Sequence, residues 1–516
     1  MALQKWTTGC RPFSGMLRDL KRRLRYYKSD WTDAWDYRVL PASINIYFAN
    51  LLPELAFALD MFRKTDNNFG VNEVLLASVL GSVVFALFSA QPLCITGVTG
   101  PITVFNYTIY EIIRDRDTPY FPFMFWICFW SMIMHMFIAI TNGVNYLKHI
   151  TSFSCQIFGF YVAFIYLQKG IQILISQQDR GLTDLFLSVV VALLVLFFGY
   201  GCNILGKSNL FKHQIRVFLL DYGLLAVVIF FSGFQHMGKM KEVPLARLPT
   251  SKAFEPSEHR SWLVHFWRIS VGDVFLAIPF AIVLTILFYF DHNVSCIMSQ
   301  SPEYPVKKPS GFHWDFFLLG ITTGISGLLG IPAPNGLIPQ APMHTESLCV
   351  TRVQTETEAG EKHKPMIIMD RVVEQRASNL IQGLLTLGTM TGPFLVVLRQ
   401  IPQCVLAGLF WVMGFSAIEG NAITRNLLWV FGDKRLIPED HQLNGCVKRS
   451  SPYYYTLYQL IGFGCIFAIT QIPKASIGFP VVLMILIPFR KYFMEKWFVK
   501  EDLELLDSPV GEMIYS

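Results

Sequence analysis

The sequence predicts an all-α polytopic membrane protein of fourteen transmembrane spans, arranged as a 7+7 inverted repeat. Three observations predict it. The 516 residues are 53% hydrophobic and only 16% charged, and the apolar residues fall in runs long enough to cross a bilayer, which takes roughly 20 helical residues each. Basic residues crowd both ends, in RDLKRRLRYYK (Arg18–Lys28) and RKYFMEKWFVK (Arg490–Lys500), as suits cytoplasmic termini facing anionic lipid. Landmarks also recur at nearly equal offsets: Pro53 and Pro279 lie in the first span of each half, and Gly97 and Gly330 open the third.

Residues 1–40 lack a spanning apolar run. Trp6, Phe13, Leu17, Leu20 and Leu24 are spaced like one helical face among basic residues, which predicts an amphipathic segment on the inner membrane surface. The first seven spans fall at 41–60, 72–90, 92–112, 121–142, 152–175, 183–201 and 214–234. A polar, proline-containing connection, 235–270, is predicted to be extracellular. The second seven fall at 271–291, 315–330, 332–350, 378–398, 401–419, 454–472 and 476–492, and a cytoplasmic tail, 493–516, follows. Seven is odd, so the second half enters from the opposite face, and the even total leaves both termini in the cytoplasm. The run EKHKPMIIMDRVVEQR (Glu361–Arg376) is predicted to be an amphipathic helix leading into the next span. Ten scattered cysteines without a CxxC pair read as small buried residues, neither a disulfide frame nor a metal site.

The third span of each half is broken. GIPAPNGLIPQAPMHTES (Gly330–Ser347) carries four prolines inside an apolar region, and QPLCITGVTGPITV (Gln91–Val104) is interrupted by Gly97, Gly100 and Pro101. Proline removes helical hydrogen bonds, and unpaired backbone is tolerated at membrane depth only inside protein or beside water. Two such segments in corresponding halves point to a transporter's substrate site, with helix starts whose positive ends face one another near the midplane. The bland reading is two kinked helices with no ligand. On the site reading, Gly100 and Gly336 approach each other. Thr96 and Thr99 in one half, and Asn335, Gly336, Leu337, Ile338 and Gln340 in the other, offer neutral polar side chains and backbone. Gln340 is placed about one turn into the second half-helix. Asp291 ends an apolar run and is either interfacial or an inward-facing site carboxylate that carries a coupling proton or contacts substrate. His292 beside it faces elsewhere, since consecutive helical residues diverge. His344 and His135 read as packed, hydrogen-bonded core.

No HExxH pair, P-loop or GxSxG elbow is present, which argues against metalloprotease, ATP-driven and serine-hydrolase chemistry. Nothing points to nucleic acid or a cofactor, and no continuous charged lining marks a channel.

Six segments then carry a family resemblance: YFANLLPELAF (47–57), AQPLCITGVTGP (90–101), FYFDHNV (288–294), SGFHWDFFLLG (310–320), EQRASNLIQG (374–383) and GFPVVLMILIPFRK (478–491). Together they resemble the bicarbonate and borate branch of solute carriers, and FDHNV with PNGLIPQAPMHTESL (334–348) is similar to the borate transporters of plants and fungi. The resemblance implies a core of spans 1–4 and 8–11 (41–142 and 271–399) that carries the site. The resemblance implies a gate of spans 5–7 and 12–14 (143–234 and 400–492) that makes the contact in a homodimer. It also implies export of borate across the plasma membrane by alternating access. The family's anion exchangers have glutamate at the Asp291 position and arginine at the Gln340 position. Borate, B(OH)4⁻, has both donors and acceptors, which a neutral glutamine satisfies on both counts, whereas arginine only donates. Exchange of bicarbonate, chloride or another small anion is the alternative within the fold, and a channel or scaffold the alternative outside it.

Overall fold

The computed structural model of the chain describes residues 11–507 except 179–180, 209, 302–303, 355–365, 434, 436 and 438–441. Trp6 and the start of the Glu361–Arg376 run lie outside them. The first half contains α1 (Ser14–Leu24), α2 (Tyr27–Thr32), α3 (Val39–Lys64), α4 (Val71–Phe88), strand β1 (Thr96–Gly97), α5 (Gly100–Ile113), α6 (Tyr120–Ile140), α7 (Ser152–Ile175), α8 (Leu182–Lys207) and α9 (His213–Phe234). The second half contains α10 (Val271–Ser299), α11 (Phe312–Leu329), β2 (Asn335–Gly336), α12 (Gln340–Ser347), β3 (Cys349–Gln354), β4 (Met366–Val372), α13 (Ala377–Thr389), α14 (Gly392–Arg399), α15 (Gln403–Gly420), α16 (Ala422–Phe431), α17 (Ser451–Gln471), α18 (Phe479–Phe489), α19 (Glu495–Trp497) and α20 (Lys500–Leu506).

Ten of the described helices are long and apolar enough to cross a membrane, and α13 with α14 forms one further candidate bent by 80°. The difference from fourteen has physical causes. Only Gly100–Ile113 of the predicted span 92–112 is helical, and only Gln340–Ser347 of 332–350, because glycine and proline hold the preceding residues extended. Pro393 opens α14 at its second residue, where it cannot extend α13. α6 packs against α10 and α11, and α13 against α3 and α4, while α15 packs against α7 and α8 and α17 against α7.

Three further expectations are corrected. α10 continues eight residues past Asp291, so this acid is not at a helix edge. Residues 366–372 form a strand rather than a helix, paired antiparallel with β3 from Cys349↔Val372 to Gln354↔Met366, since the β-branched residues of CVTRVQ and MIIMDRV suit a two-stranded ladder. Cys465 is exposed rather than buried.

α1 is amphipathic as expected, with Phe13, Leu17 and Leu24 exposed. Its other face is bound into the protein. Asp19 Oδ2 accepts from the His313 backbone N–H at 2.9 Å, and Arg23 donates twice to Asp30, at 2.8 and 2.9 Å. Asp30 is fully buried and also accepts from Lys308 (2.8 Å) and Arg376 (2.9 Å). Arg376 in turn donates to the carbonyls of Ala86 and Ser89 at the end of α4. At the opposite end of α4, the 235–270 connection folds over the helix start. Asn72 Nδ2 donates to Ser251 Oγ, Lys252 O and Glu255 O, and Glu73 accepts from Ser257. Arg260 donates to the last carbonyls of the α11 turn, Leu329 O and Gly330 O, where Gly330 takes φ +61°.

Candidate functional site: a strand crossing between two short helices

The broken segments meet. β1 and β2 pair antiparallel, with Thr96 opposite Gly336 and Gly97 opposite Asn335, and the Leu337 N–H donates to Ile95 O at 2.9 Å. This pairing satisfies backbone groups that would otherwise be unpaired deep inside an apolar bundle. Each short strand contains a glycine at a close approach. A Cβ on Gly97 would lie 2.6 Å from Glu54 Oε1, and one on Gly336 would lie 2.9 Å from Ser295 Cβ and 3.1 Å from the His292 backbone. α4 packs on β1 and α10 on β2, so the crossing is held from two sides.

Each short helix starts beside the crossing. Thr99 is the N-cap of α5, and its hydroxyl accepts from Ile102 N–H. Gly100 is the first helical residue and packs beside Phe57 and Tyr166. Within the ladder the residue opposite Gly336 is Thr96, four residues before Gly100. Asn335 holds the crossing to α10: its Nδ2 donates to Asp291 Oδ2 at 3.0 Å, and its Oδ1 accepts from the Gly336 N–H at 2.8 Å. Thr99 is a second polar neighbour of the Asp291 carboxylate. Asp291 is buried and inward-facing, so the interfacial reading fails. Leu337 is buried in a small cluster with Ile46 and Ile95, and Ile338 is half-buried against the main core. Gln340 is the first residue of α12, not one turn in, because Pro339 takes the N-cap. Its Nε2 lies 3.5 Å from Ala49 O, and its Oε1 is buried without a partner.

The expected core histidines are core. His344 bridges Leu93 O (3.2 Å) and Ser378 Oγ (2.7 Å), and His135 contacts Ser131 O at 2.7 Å.

Sequence reasoning missed a second carboxylate. Glu54 of α3 is 1% exposed; Ser78 Oγ donates to its Oε1 at 2.5 Å, while its Oε2 has no partner. An acid in mid-span, directly after Pro53, was the available signal. One turn earlier on α3, Asn50 donates to Gln382 Oε1 at 3.2 Å, Gln382 donates to Ser82 Oγ, and the Asn50 oxygen remains unpaired. Buried polar atoms are nearly always satisfied, so this group calls for an explanation. Glu54 Oε2, Asn50 Oδ1 and Gln340 Oε1 are all acceptors, and Thr96 Oγ1, also unpaired, can donate or accept. They suit a small ligand rich in O–H donors. A second acid on the same helix, Asp60 about one turn from the end of α3, is paired with Lys169 of α7 at 2.6 Å.

Two interrupted helices meeting inside a bundle of long apolar ones, with unpaired polar groups at the meeting point, define a secondary transporter. The comparisons with known proteins agree. A profile of the HCO3⁻ transporter integral membrane domain matches residues 11–183 and 182–510, and the chain belongs to that family. It is 68% identical over 97% of its length to a Schizosaccharomyces pombe protein with a provisional transporter name, covering 97% of it. It is 48% identical over 96% of its length to boron transporter 1 of Saccharomyces cerevisiae, covering 86% of that protein. Among solved structures, the transmembrane domain of the cyanobacterial bicarbonate transporter BicA shares the fold, with TM-score 0.53 at 14% identity, over 83% of this chain and 97% of that one.

Proposed function

We propose that the protein exports borate across the plasma membrane by alternating access, and that the ligand sits at the strand crossing. The observation that carries this is the set of unpaired buried acceptors, Glu54 Oε2, Asn50 Oδ1 and Gln340 Oε1. Chloride has no hydrogen to offer them and bicarbonate has one, whereas B(OH)4⁻ and boric acid have several. The 48% identity to a boron transporter supports the same substrate. Glu54, Asn50 and Gln340 are the proposed contacts through those acceptors, joined by Asp291, Thr99 and Asn335 and by the backbone of Gly100, Gly336, Leu337 and Ile338 at the helix starts. The deciding experiment is flux of boron, bicarbonate and chloride in vesicles holding the purified protein. Saturable boron flux with countertransport is expected, and preferred chloride–bicarbonate exchange would overturn the reading. In the same assay Gln340→Arg should lower the boron-to-bicarbonate flux ratio, since it replaces an acceptor with donors alone. An unchanged ratio in both Gln340→Arg and Gln340→Ala would remove this residue from the site.

The architecture belongs to the same proposal. We read the bent, broken and less apolar helices as completing fourteen spans in a 7+7 inverted repeat, with both termini cytoplasmic. The contacts of α3, α4 and α6 with α10, α11 and α13 support a core, and those of α7 and α8 with α15 and α17 support a gate. The homodimer is assigned to that gate. Labelling of a cysteine introduced at position 505 from outside intact cells would overturn the orientation.

Coupling to protons is assigned to Glu54, whose second oxygen is free to carry one. Among the described residues, Ser78 on α4 and the Gly97 backbone present neutral groups to it, and the Tyr47 phenol on its own helix interacts with it electrostatically. Glu54→Gln is expected to remove the response of boron flux to an imposed pH gradient. A full response in that variant would move the coupling elsewhere.

A further inference from the structure

Beside the strand crossing, three soft donors converge. Cys94 precedes β1 in the broken segment, and His292 and Cys296 lie one turn apart on α10, so their side chains share a face. All three are fully buried, and their ligand atoms lie within 4.8 Å of one another. Cys94 Sγ and Cys296 Sγ are 3.0 Å apart, and Cys296 Sγ is 3.6 Å from His292 Nε2. Ser295 Oγ stands 3.8 Å from Cys94 Sγ. We propose that Cys94, His292 and Cys296 form a binding site for a single zinc-class cation, with Ser295 Oγ at the fourth position.

The imidazole supplies the second observation. His292 is fully buried, and among the described residues its Nδ1 has no hydrogen-bond partner and its Nε2 meets the Cys296 sulfur alone. A buried polar ring so poorly served is uncommon in folded proteins, whereas coordination through Nε2 satisfies it. Charge supports the same assignment. A divalent cation with two thiolates and a neutral imidazole is electrically neutral, so it needs no counter-ion in apolar surroundings; binding releases the two thiol protons. Thiolate sulfur and imidazole nitrogen are the donors such a cation prefers. Bonds of about 2.3 Å in a tetrahedral site hold two sulfurs roughly 3.8 Å apart, so the cysteines must open by somewhat under an ångström, within reach of a side-chain rotation. The bland alternative is a pair of thiols acting as small apolar residues.

The role that follows is positional. Cys94 belongs to the segment that enters β1, and α10 carries Asp291. A cation between them fixes the register at which the broken segment meets α10. The assignment stands apart from the substrate, since it rests on different atoms and is read without flux.

The test uses the full-length protein in detergent, stripped with a chelator under reducing conditions and titrated with Cd²⁺. One equivalent should bind, with thiolate-to-cadmium charge-transfer absorption in the near ultraviolet and a higher unfolding temperature. A variant that keeps Cys94 and Cys296 and replaces every other cysteine should retain the band. Cys94→Ser and Cys296→Ala, each folded by size-exclusion profile, should lose it, and His292→Gln should weaken binding. Absence of a stoichiometric band in the wild-type protein would overturn the proposal, as would an undiminished band in Cys94→Ser or Cys296→Ala. Loss of the band from the two-cysteine variant while it remains folded would do the same.

Discussion

Asp291→Asn is expected to reduce boron efflux by roughly 10- to 100-fold, with folded protein at wild-type levels. The carboxylate accepts from Asn335 Nδ2 at 3.0 Å, has Thr99 beside it, and is buried where both short helices begin. Hydrogen bonds to a charged group contribute about 1.5–3 kcal/mol, and each 1.4 kcal/mol is a factor of ten in rate. Asparagine keeps the shape and can still accept from Asn335, so the crossing should hold while the charge is lost. Boron efflux from cells expressing equal amounts of surface protein is the measurement. Wild-type efflux in Asp291→Asn would show that this carboxylate is a structural acceptor for Asn335 and nothing more.

Asp30→Ala is expected to be the most destabilising single substitution considered, by about 3–5 kcal/mol. Asp30 is fully buried and receives Arg23, Lys308 and Arg376, two of them on distant segments. Removing it leaves buried cations without their counter-charge, which costs more than the pairing itself contributes. Arg376 also holds the carbonyls that end α4, so the loss should spread to the helix that supports β1. A large fall in apparent unfolding temperature is expected for Asp30→Ala, and a smaller one for Asp30→Asn, which retains an acceptor. Equal and small shifts in the two would show that Lys308, also paired with Asp33, and its neighbours re-pair without Asp30.

Much of this was legible in the chain. Apolar runs of spanning length identified the membrane class, because hydrocarbon admits little else. The broken segments were legible for the same reason: proline and glycine in an apolar run mark backbone that must be satisfied by something other than its own helix. The sequence also marked Asp291, Asn335 and Gln340 as polar groups near those breaks. The family resemblance pointed to the bicarbonate and borate branch of solute carriers, and the match to the HCO3⁻ transporter domain agrees with that branch.

Partners, by contrast, were decided by the tertiary structure. The strands that join Thr96 to Gly336 span two residues each, too short for any periodicity to reveal, and their pairing lies between segments separated by nearly half of the chain. In the sequence Glu54 is one acid in a span, as readily a buried ion-pair member, as Asp60 is with Lys169, as a site group; its place beside Gly97 separates the two. The helix predicted for Glu361–Arg376 failed because β3 offered MIIMDRV a ladder, a non-local contact that outweighs local pattern. Cys94 and Cys296 looked scattered for the same reason. A sequence states which groups must be buried and which must be paired, but only the packing of distant segments determines with what.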